Sequence, residues 1–214
     1  MAKDESKASD HRYCRGNLKP LVLPWPVILA SASPRRSDLL SELGIEFIVI
    51  PASVDEDALT EADPWQTARK LAREKALSVY SANPDSIVIG GDTVVAFKEN
   101  ESWKQLTKPV DEDDAVRILT TLSGRTHTVI TGVCVKWPSG FSSFTDESEV
   151  TFRPMTRPEI LAYVESGEPM DKAGAYGFQG GARPFVKEVR GSVNNVIGLP
   201  TERLQEVLRE IESV

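Results

Sequence analysis

The sequence predicts an α/β fold built on a mixed sheet. Three observations carry that expectation. Short apolar runs at Val27-Ile28-Leu29-Ala30 and Ile87-Val88-Ile89 suit buried strands. Helix-start signals stand at Ser33-Pro34 and Asp63-Pro64, a capping residue followed by proline at the first helical position. Segments of strand character and of helical period then alternate along the chain, as they do in α/β domains.

The elements follow in order. After the first strand, the Ser33-Pro34 signal opens a helix through Leu39, Leu40 and Leu43, with Gly44 as its stop. Phe47 to Ile50 reads as a second strand. Asp63, Pro64 and Gln66 start a long helix reaching to about Asn83. Ile87 to Ile89 runs into Gly90-Gly91-Asp92-Thr93, where the apolar strand is expected to break, and Val94 to Phe97 continues it. Asp111 to Leu122 is a helix with acids in its first turn and Gly124 beyond its end. Val129 to Val135 and Glu149 to Phe152 read as strands of a hairpin or meander. Pro158 to Ser166 is a short helix, and the stripe Leu204, Val207, Leu208 and Ile211 marks a closing one. The runs 167–181 and 191–200 are rich in glycine and read as loops.

Composition narrows the function. The chain has 214 residues, 40% hydrophobic and 27% charged, which is globular composition with enough length for a core without disulfides. A net charge of −7 disfavours nucleic acid as a partner. Met1 to Arg15 is polar and mixed in charge, unlike a signal peptide. Leu21 to Ala30 is too short to span a bilayer, so no membrane association and a cytoplasmic location are expected. Residues 1–24 read as an extension expected to be a disordered tail, and residues 25–214 as one catalytic domain. Cys14 and Cys134 form no framework of bridges, and Cys134 sits in an apolar run as a buried thiol would.

Motif searching removes several chemistries. There is no G-x-x-x-x-G-K-[ST] loop and no G-x-S-x-G elbow. His11 and His127 are the only histidines, which excludes a multi-histidine zinc site. A working metal would have to be held by oxygen ligands, as magnesium and manganese prefer. Four features remain. Ser31, Ser33, Arg35 and Arg36 surround a helix start, which is either an ordinary capped helix or an anion site suited to phosphate. Asp92 follows two glycines that leave room for a substrate or hydrated ion, or simply make a turn. Lys75 shares a helical stripe with Ala68, Ala72, Ala76 and Val79 and so points inward, toward the core edge or a buried anion. The glycine-rich runs can approach a ligand closely. Taken together, these features fit phosphate chemistry with a divalent ion.

The segments 29–36, Gly91-Asp92-Thr93, Lys108-Pro109, Leu122-Ser123-Gly124 with His127, 167–180 and 191–200 resemble the Maf family of nucleoside triphosphate pyrophosphatases. The resemblance spans about residues 27–212 with the motifs in order. It implies a fold related to inosine-triphosphate pyrophosphatases, two lobes around a deep cleft, and cleavage of a nucleotide between its α- and β-phosphates. Carried over, Asp92 resembles the general base that activates water. Ser31, Arg36, Lys75 and Lys108 resemble the phosphate-holding set. Glu56 with Asp92 resembles the carboxylates of a Mg2+ or Mn2+ site, and the family often forms homodimers. The segment Lys98 to Thr107 is longer than the family pattern.

Three positions divide the family by substrate. Arg35, Thr93 and Gln179 resemble the branch acting on dTTP and UTP, whereas the 7-methyl-GTP branch would show Trp, Gln and Glu. An amide such as Gln179 can both donate to and accept from a pyrimidine edge. The expected function is therefore hydrolysis of dTTP and UTP to monophosphate and pyrophosphate. The alternatives are 7-methyl-GTP hydrolysis, or nucleotide binding without turnover by a regulator of septum formation.

Overall fold

The computed structural model describes residues 21–213. Seven strands form one mixed sheet: β1 (Val27–Leu29), β2 (Phe47–Val49), β3 (Ile87–Glu99), β4 (Ser102–Leu106), β5 (Thr126–Trp137), β6 (Gly140–Phe152) and β7 (Val186–Arg190). The order is β2-β1-β3-β5-β6-β7, with β4 also on β3. β1 is parallel to both β2 and β3, and the remaining pairs are antiparallel. Among the described residues, six α-helices accompany the sheet: α1 (Pro34–Glu42), α2 (Pro64–Tyr80), α3 (Glu112–Leu122), α4 (Arg157–Glu165), α5 (Val193–Ile197) and α6 (Thr201–Glu212).

Local chemistry accounts for most helix starts. Asp63 caps α2 by accepting from the Trp65 and Gln66 N–H groups, and Asp111 caps α3 through the Asp114 N–H. Thr156 and Glu159 form a reciprocal capping box on α4. Ser33 occupies the cap position of α1 ahead of Pro34, but its hydroxyl makes no capping bond. The start of that helix therefore keeps donor capacity for a ligand.

Two sequence expectations are corrected. The Gly90-Gly91 pair does not interrupt its strand, because β3 is continuous and Gly90 to Thr93 lie opposite Thr131 to Cys134 of β5. The glycines are there because neighbours press on the strand. A side chain at Gly90 would run into the Ala72 carbonyl and Ala76 of α2, and one at Gly91 would meet the Arg36 side chain. The 98–107 segment, longer than the family pattern, closes a β3–β4 hairpin with paired residues Val95↔Leu106 to Glu99↔Ser102. The 191–200 run is not all loop, because Ser192 caps the short helix α5 by accepting from the Asn195 N–H. Of the expected extension 1–24, residues 1–20 lie outside the described residues. Leu21 and Leu23 pack against a core cluster, and the Val22 N–H donates to Glu212 of α6.

The core divides along β3. Ile87 and Ile89 join a cluster with α1 and α6 (Leu39, Leu40, Leu204, Leu208), whereas Val95 and Phe97 join another with α3 and α4 (Ile118, Leu119, Ile160, Val164). All four residues are odd-numbered and share one face of the strand. The even face, through Val88, Val94 and Ala96, packs beneath α2. β1 pairs with β3 only at residues 87–89 and β4 only from residue 95, so residues 90–94 have no strand on that flank. This gap is where the two halves part.

The close seating of α2 is a stability determinant. A side chain at Gly132 of β5 would collide with the Ala68 carbonyl of α2. Gly132→Ala is expected to destabilise the fold by about 3 kcal/mol, the scale of a strained overpacked site. Gly44→Ala, at a φ of +72° with open space around it, should cost about 1 kcal/mol. Urea unfolding of the two variants against wild type checks the ranking.

Candidate active site

The gap opens into a cleft of 710 Å³. Its walls come from the β1–α1 turn, the segment before α2, α2 itself, β3, the residues after β4, and the turn ending at Gln179. Ser31, Arg35, Arg36, Glu56, Lys75, Asp92, Thr93, Lys108 and Gln179 all line it, so the fold brings every residue singled out in the sequence to one place.

Successive residues of β3 serve the two sides of the cleft. Asp92 is even-numbered and faces α2, where Lys75 Nζ lies 2.7 Å from its Oδ1 and 2.6 Å from Oε1 of Glu56. Asp92 is 9% exposed and the Lys75 side chain 12%, so this ammonium is largely withdrawn from water while shared by two carboxylates. Such a buried cation requires a partner, and here it has two. Lys108 Nζ lies 4.0 Å from the other Glu56 oxygen and is exposed at the mouth. Burial alone would raise the Glu56 carboxyl, but the Lys75 ammonium, assisted by Lys108 and Arg36, outweighs it and holds Glu56 below the usual carboxylate range.

Thr93 faces the other side. Its hydroxyl accepts from Arg36 Nη2 at 3.0 Å and lies 3.0 Å from the Thr131 hydroxyl. Arg36 also donates through Nη1 to Ser31 Oγ at 3.0 Å and through Nε to the Gly198 carbonyl at 2.8 Å. These bonds fix the plane of the guanidinium. Desolvation lowers the Arg36 pKa, and Asp92 and Glu56 oppose that shift. Arginine stays charged throughout the physiological range in any case. The cleft thus presents a fixed fork beside a helix start, with a carboxylate and an ammonium opposite, a donor set of the kind that suits phosphate oxygens.

Sequence reasoning did not assign what supports these groups. Thr131 donates to the Asn195 carbonyl, and the buried Asn195 amide donates to the Val129 carbonyl and to Ser148 Oγ. The signal that could have found them is the pair of buried polar positions, one in an apolar strand and one in the 191–200 run. Tyr176 also lines the cleft and its hydroxyl lies 2.8 Å from Nε2 of the fully enclosed His127. Burial lowers that histidine to about 3, so it stays neutral. Cys134 is buried as expected, and desolvation pushes its thiol up to about 11, outside the reactive range.

Among the described residues no group of three or more His, Cys, Asp or Glu side chains could hold a metal, and no helix is long and apolar enough to cross a membrane. Glu56 and Asp92 nevertheless converge on one ammonium. Two carboxylates on one wall suit a hard divalent cation that completes its shell from phosphate and water.

The Lys75 pairing has a direct test. The ionised form of Glu56 is the one the folded protein favours, so this contribution to stability is present at neutral pH. It is lost as pH falls through the depressed folded midpoint. A carbon-13 carboxyl titration should place Glu56 below an ordinary glutamate, and Lys75→Met should move it upward.

Sequence comparison adds an independent line. The family model "Maf-like protein" matches residues 26–211. A dTTP/UTP pyrophosphatase of Aquifex aeolicus is 52% identical over 185 residues, covering 86% of this chain and 95% of its own. Proteins of the same name from Koribacter versatilis and Deinococcus radiodurans are 45% and 42% identical, each over 86% of this chain, covering 93% and 91% of their own lengths. Among solved structures, a HAM1 protein from Coxiella burnetii is 15% identical, covers 87% of this chain and 99% of its own, and has a TM-score of 0.48. With its cleft residues in place and its relatives matched over nearly their whole lengths, this chain belongs to the Maf-like protein family.

Proposed function

We propose that the protein hydrolyses dTTP and UTP to the nucleoside monophosphate and pyrophosphate. The observation that carries this reading is the buried Asp92 carboxylate at the gap in β3, with Lys75 on one side and the Arg36 fork on the other. The printed names of relatives 42% to 52% identical support it.

Asp92 is the proposed general base. It accepts a proton from a water that attacks the α-phosphorus, and the bond from that phosphorus to the α,β-bridging oxygen breaks as the new P–O bond forms. Pyrophosphate departs and the proton passes from Asp92 to solvent. Arg36, Ser31, Lys75 and Lys108 hold the phosphate oxygens and offset the charge that grows on the leaving group. Their positions are set before substrate arrives, by the bonds to Thr93, Gly198, Glu56 and Asp92. Glu56 and Asp92 would hold a divalent cation, Mg2+ or Mn2+, which would supply charge neutralisation to the substrate phosphates. Arg35, Thr93 and Gln179 are the proposed specificity set, with the Gln179 amide reading the pyrimidine edge.

The test is a panel of nucleoside triphosphates and 7-methyl-GTP with either metal, assayed for pyrophosphate and monophosphate. Turnover should concentrate on dTTP and UTP, and preference for 7-methyl-GTP would overturn the specificity assignment. Asp92→Asn should lower kcat by roughly a hundredfold or more, the range of a lost general base. Full turnover by that variant would sink the assignment. Gln179→Glu removes the amide donor and adds charge, so kcat/KM for dTTP should fall about tenfold or more.

A further inference from the structure

The turn that carries Gln179 is held at both ends, and one side chain links the two holds. The Gly177 N–H donates to the Tyr163 hydroxyl at 3.1 Å, and that hydroxyl donates to Glu168 Oε1 at 3.0 Å. Four residues along, the Gly181 N–H donates to Glu168 Oε2 at 2.8 Å. The two oxygens of one carboxylate therefore bracket the segment 177–181, with Phe178 and Gln179 between the fastened ends. The turn closes on itself through Gly180 N–H to the Gly177 carbonyl at 3.2 Å.

The fit is tight. A side chain at Gly177 or at Gly180 would run into the Glu168 carboxylate, so both positions must be bare for the bracket to close. Both partners are themselves held. Tyr163 is buried on α4 with its ring packed edge-on against Phe185, their centroids 5.5 Å apart. Burial and the adjacent carboxylate raise its pKa, which keeps the phenol protonated and able to donate. Glu168 is held from behind by Lys172 Nζ, which donates to its backbone carbonyl at 2.6 Å.

We propose that Glu168 is a positioning residue for substrate selection, acting through Gln179 by fixing both ends of its turn. This rests on the reading of Gln179 as a specificity residue, and it assigns a task to a carboxylate that the chemistry at Asp92 does not use. Gln179 is exposed at the cleft. An exposed amide selects one base edge over another only if its backbone is held still, because a mobile one can turn to suit either.

The experiment compares Glu168→Ala, Tyr163→Phe and Gln179→Ala with wild type, using whichever triphosphate wild type hydrolyses best. Tyr163→Phe keeps the ring packing and releases only the Gly177 end, so it stands in if Glu168→Ala fails to fold. Hydrogen exchange should speed up at Gly177 in Tyr163→Phe, and at both Gly177 and Gly181 in Glu168→Ala. KM should rise about tenfold in Glu168→Ala, the loss of a hydrogen-bonded charge, with kcat within about threefold. Discrimination between the best substrate and its competitors should fall with it. In a Gln179→Ala background, Glu168→Ala should change discrimination no further. Unchanged exchange would overturn the bracket. Faster exchange with KM and discrimination unmoved, or with effects that add in the double variant, would reduce Glu168 to a structural part and overturn the proposal. A wild type that prefers another nucleotide would instead overturn the dTTP/UTP reading alone, since the exchange and the double-variant comparison do not depend on which base is preferred.

Discussion

Strand β3 is the constraint on which the rest of this molecule depends. Its thirteen residues run through both halves of the core, pairing with β1 at one end and β4 at the other. Strand pairing normally shields the backbone on both flanks, and here the five residues 90–94 are covered only by β5. The missing neighbour is what leaves the cleft open along this flank. Because successive side chains point to opposite faces, Asp92 and Thr93 reach the two walls of one cleft from adjacent positions. A one-residue slip in register would exchange them and send Asp92 away from Lys75. The continuous pairing of Val88 to Ala96 with β5 excludes that slip.

Charge placement follows from this frame. An acidic chain gathers Arg35, Arg36, Lys75 and Lys108 around a single opening. Asp92 and Glu56 offset Lys75, while hydroxyl and carbonyl oxygens hold the Arg36 fork. The two groups differ in kind. Lysine is a compact, flexible point charge that can be shared between carboxylates and phosphate, whereas the planar arginine is locked by directional bonds. The Gly198 carbonyl that accepts from Arg36 Nε lies immediately after α5, so the guanidinium ties α1 to the segment joining α5 and α6.

The local signals in the sequence were good guides to elements and to which side chains face the cleft. Proline after a capping residue marks the starts of α1 and α2, and the inward lysine of α2 is where helical periodicity puts it. The signals failed where context outweighed composition. Gly90 and Gly91 suggest a break when read alone, yet they lie within a strand because α2 and Arg36 occupy the space side chains would fill. The 191–200 run holds a helix of only five residues, too short to show a period.

The sequence by itself determined the α/β class, the helix starts and the presence of nine candidate residues that the fold places among those lining the cleft. Those properties reside in residue type and short spacing, which the chain carries before it folds. The tertiary structure alone decided that Ser31, Lys75, Asp92, Lys108 and Gln179, drawn from separate elements, would meet. It also decided that one ammonium would serve two carboxylates, and that Glu168 would fasten both ends of the Gln179 turn. These are long-range contacts, and their partners become neighbours only when β3 is paired and α2 is seated upon it.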